Sequence, residues 1–422
     1  GERLMGWHVN NGRDQLASFH PAAQFRTQFY RPDVIKLLLR TGSVERALEA
    51  AGDREVVTDV AKNLPPVVSI VSPQGPTVST AGDKIEVTVS ATQVGRNPIT
   101  SLQLLVNGRP LGGAGGLVRL DGSSPSPRHT FTVPLLSGAS YVLQARADSD
   151  VSYGLSKTLE VNVQSSTPET VLPSLYVLAI GVSDYDDQEL KLNFADDDAR
   201  NLAETLQAHA GGLFRKVEVK VLVDKEATGR GILMGLGWLK RQMTQHDVGI
   251  LFFSGHGDRD ESSAFYLLPS DVDRSQPLLV TGVSDAQVKT ILQGMPGRLV
   301  VMLDACHAGT LGGDKRKADF SLTDDLVRDL ATDDFGIVVM ASSMGREFSL
   351  ENSERRSGMF TLAITEGLRG LADINKDSTI YFNELDAYVS ERVKDLTRGR
   401  QHPVTAKPAT IRSFPLSQVS GK

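Results

Sequence analysis

The stretch Val300–Val301–Met302–Leu303–Asp304–Ala305–Cys306–His307–Ala308–Gly309, "VVMLDACHAG" at 300–309, holds the one cysteine of a 422-residue chain. Four apolar residues read as a buried strand, and the small residues after them read as its exit loop. A single cysteine rules out an internal disulfide and fits a reducing compartment such as the cytoplasm. Its position at the carboxyl end of a buried strand matters more. In open parallel sheets, ligands bind where loops leave the carboxyl ends of strands.

The surrounding sequence supports such a sheet. From residue 175 strands and helices alternate: "LYVLAIGV" (175–182), "DARNLAETLQAHAGG" (198–212), "KVEVKVLVD" (216–224) and "GRGILMGLGWLKRQMTQ" (229–245). The pattern continues with "VGILFFSGHG" (248–257), "DAQVKTILQGM" (285–295), the quoted strand, "GIVVMASS" (336–343) and "GMFTLAITEGLRG" (358–370). Strand–helix alternation predicts an α/β domain over 175–418, with a mostly parallel sheet flanked by helices. "SGHG" reads as a tight glycine turn at the end of its strand, so His256 and Cys306 both sit at strand ends.

Upstream the character changes. Runs such as "KIEVTVSA" (84–91) and "SYVLQARAD" (140–148) alternate with period two. They predict an antiparallel immunoglobulin-like β-sandwich over 65–165, with a long Gly/Ser/Pro-rich surface loop at 111–128. Residues 166–174 read as a polar linker. Residues 1–64 read as a helical segment, with Pro32 in a first helical turn, Ser43 as an N-cap, and Gly42 and Gly52 as stops. The chain begins with Gly, which suggests a fragment or a processed product and leaves a signal peptide undecided. The net charge of −6 argues against general affinity for nucleic acid or anionic membranes. No apolar run approaches the roughly 18 residues that span a bilayer.

A thiol with its ordinary pKa of about 8.5 is mostly protonated at neutral pH, and a nearby imidazole can take that proton and return it to a leaving amine. Taken alone, a buried cysteine is usually a small hydrophobe and a histidine beside glycines a turn residue. Together, at two strand ends, they point to a nucleophile and its base. The backbone N–H groups of Gly257 and Cys306 are candidate oxyanion donors.

On "YVLAIGVSDY", "LNFADDDARNL", "FFSGHG" and "LDACHAG", residues 175–418 resemble the caspase-like cysteine peptidases of the metacaspase and bacterial orthocaspase branch. A histidine fifty residues before the cysteine is a known caspase signature. Ala308 stands where the branch usually has Ser. The resemblance implies the caspase–haemoglobinase fold, with His256 as catalytic histidine, Cys306 as nucleophile and Gly257 in the oxyanion hole. It implies that Asp198 and Asp304 line the specificity pocket and select Arg or Lys before the cut. A carboxylate pair suits a guanidinium fork. The alternative for Asp196, Asp197 and Asp198 is the macrodipole preference for acids at a helix start. Ser342 and Ser343 are further expected to line the groove.

The loop 311–320, "LGGDKRKADF", carries Lys315, Arg316 and Lys317 and is read as a processing site of a zymogen, cut by the enzyme itself or by an activating protease, or simply as a solvated loop. "DINKDSTIYFNE" (373–384) matches an EF-hand loop in part, with Asp373, Asn375, Asp377, Thr379 and Glu384 at ligand positions and Ser378 where Gly belongs. It reads either as a calcium site or as a loop that keeps the shape without the ion. No cofactor is required by the dyad. The segment 6–34 resembles joints between bacterial β-propeller repeats and caspase-like domains, which implies an upstream recognition module. The expected partners are proteins with exposed Arg or Lys. The competing class is a non-catalytic caspase-like scaffold, against which the Cys–His pair argues.

Overall fold

The computed structural model describes residues 5–10, 12–14, 16–25, 29, 31–52, 60–164, 172–261, 264–307, 326–327, 329–330, 336–343, 349–408 and 411–419. The chain divides into two compact units, one of residues 1–105 and 116–169, the other of residues 106–115 and 170–422.

In the first unit the expected helices form at Pro32–Thr41 and Val44–Ala50. Gly42 ends the first in a left-handed conformation, and the Ser43 side chain caps the second. A short antiparallel hairpin, Gly6–Val9 with Ser18–Pro21, precedes them; no periodicity announced it. The region after residue 65 is all-β and makes two sheets. One is antiparallel, in the order Val67–Ser72, Lys84–Thr92, Arg128–Pro134. In the other, Thr77–Thr80, Leu159–Val163, Ser140–Ser149 and Ile99–Val106 lie in that order. Alternate residues are buried, among them Val87, Val89, Phe131, Val133, Leu143 and Val161. The expectation of a purely antiparallel sandwich is corrected at one edge, where Thr77–Thr80 runs parallel to Leu159–Val163. The stretch 111–128 is not a continuous loop either, since Val118 and Arg119 pair with Leu102 and Ser101.

The second unit is an α/β layer structure. Its elements are β1 (Ser174–Gly181), α1 (Ala195–His209), β2 (Lys216–Val223), α2 (Gly229–Gln242), β3 (Val248–Arg259), β4 (Phe265–Leu267), β5 (Val283–Ser284), α3 (Asp285–Gln293), β6 (Arg298–His307), β7 (Val338–Ala341), β8 (Glu351–Asn352), β9 (Ser357–Gly358), α4 (Met359–Glu366), β10 (Thr379–Tyr381), α5 (Phe382–Thr397), β11 (Val404–Ala406) and β12 (Pro415–Gln418). The main sheet has the order β2-β1-β3-β6-β7-β11. Its pairs are parallel except at β11, which closes the edge antiparallel to β7.

The apolar runs explain the layering. Every residue of β1 is buried, because a parallel strand covered on both faces needs no polar side. Tyr176, Leu178 and Ile180 pack with Ile232, Leu236 and Leu239 of α2 and with Val288 and Leu292 of α3. Leu175, Val177 and Ala179 pack on the other face with Leu202 and Leu206 of α1, Phe360 and Ile364 of α4, and Leu385 and Val389 of α5. Alternation along the strand thus feeds two helical layers.

Residues 106–115 are part of this unit, outside the expected 175–418. Arg109 is fully buried and donates to the carbonyls of Leu292 (3.2 Å), Met295 (2.5 Å) and Gly297 (2.9 Å), at and just past the end of α3. Carbonyls around a helix end lack intrahelical donors; the guanidinium serves those of Met295 and Gly297 and shares that of Leu292 with the Met295 amide.

Candidate active site

The strands β3 and β6 pair in register over ten positions, from Val248 opposite Arg298 to Gly257 opposite His307. Within that ladder His256 lies directly opposite Cys306, and Ser254 opposite Asp304. Neighbouring strands run about 4.8 Å apart, so the register brings the two backbone positions together. The glycine turn expected at "SGHG" does not form. β3 continues as a strand through His256 and Gly257 to Arg259, where it turns partner and pairs antiparallel with β4.

His256 is buried, and two groups from the segment after β1 fix it. Its backbone N–H donates to the hydroxyl of Tyr185 at 2.9 Å. Its ring Nε2 lies 2.9 Å from the carbonyl oxygen of Leu190. A carbonyl can only accept, so Nε2 carries the hydrogen. In the neutral ring the lone pair then belongs to Nδ1, which makes Nδ1 the basic atom. Tyr185 stands against the ring as well, with centroids 5.4 Å apart. Gly255 makes this approach feasible: a Cβ there would sit 3.0 Å from the Tyr185 hydroxyl and 3.1 Å from the Phe253 ring.

The two pocket carboxylates expected from the sequence are both buried and lie beside one backbone segment. Asp198 Oδ1 accepts from the Ser357 hydroxyl (2.5 Å) and the Gly358 N–H (3.0 Å). Asp304 Oδ1 accepts from Ser349 (2.6 Å), and its Oδ2 from Thr361 (3.1 Å). A Cβ on Gly358 would lie 2.8 Å from Asp304 Oδ2 and 3.0 Å from Asp198 Oδ2. Both carboxylates therefore face the same point. Burial first, and the charge of Asp304 second, hold the Asp198 carboxyl well above the usual carboxylate range. Burial also raises Asp304; the hydroxyls of Ser349 and Thr361 oppose the rise and the charge of Glu351 adds to it. A buried acidic pair whose members repel each other favours a cationic guest.

The three acids that open α1 part company. Asp196 accepts from the Ser183 hydroxyl at 2.7 Å, Asp197 pairs with the exposed Arg356 at 2.8 Å, and only Asp198 turns toward Asp304. Ser342 and Ser343, expected along the groove, are buried, as Asp198 and Asp304 are. The Ser342 hydroxyl lies 2.5 Å from that of Ser349, behind the hydroxyl that donates to Asp304. Tyr185, Leu190, Ser349, Glu351, Ser357, Gly358 and Thr361 were not singled out in the sequence. The Ser, Glu and Arg content of 349–358 signals only a polar loop.

The side chain of Cys306 and the loop with Lys315, Arg316 and Lys317 lie outside the described residues. In the EF-hand-like loop, Ser378 takes the left-handed conformation at φ 66°, so a residue other than Gly does make that turn. The loop closes on itself. Asp373 accepts from the amides of Asp377 and Ser378, Asp377 from that of Thr379, and Glu384 from those of Asn375 and Tyr381. Among the described residues no group of three or more His, Cys, Asp or Glu is placed to hold a metal ion. The carboxylates of Asp373, Asp377 and Glu384 thus accept backbone amides, and Asn375 and Thr379 lie between them on the same loop. No helix among the described residues is long and apolar enough to cross a membrane.

The second unit is similar to known proteins. The sequence profile of the caspase domain matches residues 175–414. Metacaspase-1 of Saccharomyces cerevisiae is 26% identical over 148 residues, which are 32% of this chain and 33% of that protein. Metacaspase-1B of Aspergillus fumigatus is 27% identical over 147 residues, 32% of this chain and 35% of that protein. The chain thus spans about a third of the length of the curated relatives it matches. A solved structure of a Geobacter sulfurreducens protein aligns over 59% of this chain and all of its own, at 18% identity and a TM-score of 0.43.

Proposed function

The chain belongs to the caspase family, and from that premise we propose that its second unit is a cysteine endopeptidase that cleaves proteins after Arg or Lys. The observation that carries the proposal is the register of β3 and β6, which opposes His256 and Cys306.

In this reading the Cys306 thiol gives its proton to Nδ1 of His256. The thiolate attacks the scissile carbonyl carbon, a C–S bond forms, and an electron pair moves onto the carbonyl oxygen. Backbone N–H groups of Gly257 and Cys306 stabilise that oxyanion, typically by a few kcal/mol. Collapse breaks the C–N bond, and the imidazolium protonates the departing amine. Water then attacks the thioester, His256 accepts its proton, and the thiol is restored as the acid leaves. The Leu190 carbonyl supports this cycle, because it keeps a hydrogen on Nε2 and steadies the imidazolium when it forms.

Asp198 and Asp304 are the proposed seat of the Arg or Lys side chain. The charge of Glu351, whose carboxylate accepts from Asn193, strengthens the same field. A guanidinium entering there relieves the repulsion between buried carboxylates and gains charge-assisted hydrogen bonds. The same preference makes Lys315, Arg316 and Lys317 candidate sites of self-processing, and a separate activating protease is the alternative agent.

The test is cleavage of fluorogenic peptides that end in Arg, Lys or Asp by the wild type and by Cys306→Ala. Cleavage after Arg and Lys that the substitution abolishes is expected. Cleavage after Asp alone would remove the pocket assignment, and no cleavage of any peptide or protein would favour a scaffold. Intact mass before and after incubation reports self-processing.

A further inference from the structure

Away from the dyad, the outer face of α2 and the segment 278–283 enclose an open groove of about 680 Å³. Its size is that of a ligand or peptide site. Its walls are unusual for this chain. Met234, Leu279 and Val280 are 59%, 75% and 73% exposed, and all three line it, with the half-buried Leu233 between them. Among the described residues of the second unit, these are three of the six large hydrophobic side chains that stand exposed.

The charges of the groove are specific too. Arg230 and Arg241, near the two ends of α2, border it, and neither makes an ion pair or hydrogen bond among the described residues. The acid on its wall, Asp271, accepts from the Gly229 amide at 2.9 Å. A chain with a net charge of −6 thus presents a locally positive, apolar trough.

A run of backbone contacts links the residues next to the groove with the segment that holds His256. Ser270 donates to the Ala227 carbonyl and accepts from the Asp186 amide. Asp186 follows Tyr185, whose hydroxyl holds His256.

We propose that this groove is an auxiliary docking site for protein substrates, and that it takes a short segment of two or three apolar side chains flanked by carboxylates. The assignment rests on the peptidase reading of the second unit. Apolar side chains of the segment cover Met234, Leu279 and Val280, and its acids meet Arg230 and Arg241. Burial of the apolar faces supplies affinity, and the arginines set orientation and reject basic segments.

Two measurements test it. The first is fluorescence anisotropy of a labelled peptide Glu-Asp-Leu-Ala-Leu-Leu-Asp-Glu with the full chain carrying Cys306→Ala, against the same peptide with Lys in place of its acids. Saturable binding of the acidic peptide is expected, at least tenfold tighter than the basic one. It should weaken at least tenfold with Arg230→Glu plus Arg241→Glu, and also with Met234→Asp. The second is cleavage of an Arg-ending fluorogenic peptide, alone or fused through a Gly/Ser linker to the acidic segment. Fusion should lower KM about tenfold in the wild type and not in the groove variants, while the unfused peptide is cleaved equally by all. Equal binding of both peptides, or insensitivity to all three substitutions, overturns the groove. So does a sedimentation mass of twice the chain that the substitutions halve, since a second copy would then be the occupant. Loss of cleavage with binding intact would sink the peptidase reading and leave the docking surface standing.

Discussion

His256 and Cys306 occupy directly opposed positions on neighbouring parallel strands, the ninth of ten registered pairs between β3 and β6. Two groups that act as one unit lose their effect together. Cys306→Ala and His256→Ala should each lower kcat/KM on an Arg-ending peptide by roughly a thousandfold or more. The double variant should be no slower than the worse single one. Additive losses in a steady-state comparison of the three variants would show that the groups act separately.

Tyr185 is a positioning residue for the histidine. Its hydroxyl accepts the His256 N–H at 2.9 Å, and its ring is fully buried. Tyr185→Phe keeps the ring and removes that acceptor, which costs about 1–3 kcal/mol when a buried N–H loses its partner. We expect kcat to fall about tenfold with KM unchanged, and the pH–rate profile to move as the imidazole shifts. A variant with wild-type kcat and profile would reduce Tyr185 to packing.

The buried pair Asp198 and Asp304 carries a pH dependence of definite sign. Both carboxyls are raised, Asp198 well above the ordinary range. A carboxyl whose folded pKa exceeds its unfolded one binds more protons folded than unfolded. Its stabilisation is complete below the unfolded pKa and is lost as pH rises through the folded one. For an Arg substrate the sense reverses, because the cation needs the ionised pair. KM should therefore fall as pH rises through the raised pKa and then level off. Asp198→Asn removes one charge of the pair. It should raise the melting temperature at neutral pH and lower kcat/KM for Arg substrates at least a hundredfold. A melting temperature that drops with the substitution would contradict the electrostatic account.

The main sheet was legible because its strands are buried on both faces and read as unbroken apolar runs. The sequence placed His256 and Cys306 at two strand ends, and their direct opposition came from the pairing of β3 with β6, where the turn expected at Gly255–Gly257 is in fact continuous strand. The surroundings of the pocket were not legible. Ser357 reaches Asp198 across 159 residues, and Ser349 reaches Asp304 across 45, with no periodicity to mark them, since hydroxyl-to-carboxylate contacts depend on where loops return. Arg109 was equally hidden. It lies in a β-rich stretch of sequence, yet its guanidinium serves carbonyls at and just beyond the end of α3.

Gly358 should be intolerant of the smallest side chain, for a reason other than backbone freedom. Its φ of −62° and ψ of 144° suit any residue. The constraint is space, because a Cβ would stand 2.8 Å and 3.0 Å from the two pocket carboxylates. Gly358→Ala should raise KM for Arg and Lys peptides at least tenfold, and change the far-ultraviolet dichroism little. An unchanged KM would place the cationic guest elsewhere.

Arg109 tests where the catalytic unit ends. It is fully buried and donates to three backbone carbonyls between Leu292 and Gly297, immediately before β6 begins at Arg298. Arg109→Met retains most of the apolar stem and removes every donor. The Leu292 carbonyl keeps the backbone amide of Met295, whereas those of Met295 and Gly297 lose this donor, and each buried carbonyl left unpaired costs about 1–3 kcal/mol. The variant should unfold at a denaturant midpoint well below that of the wild type. Because β6 carries Cys306, the loss should extend to activity at temperatures where the far-ultraviolet signal is still native. Wild-type stability and activity in this variant would mean that residues 106–115 are dispensable to the unit, and that its working boundary lies where the apolar pattern alone places it, at the start of β1.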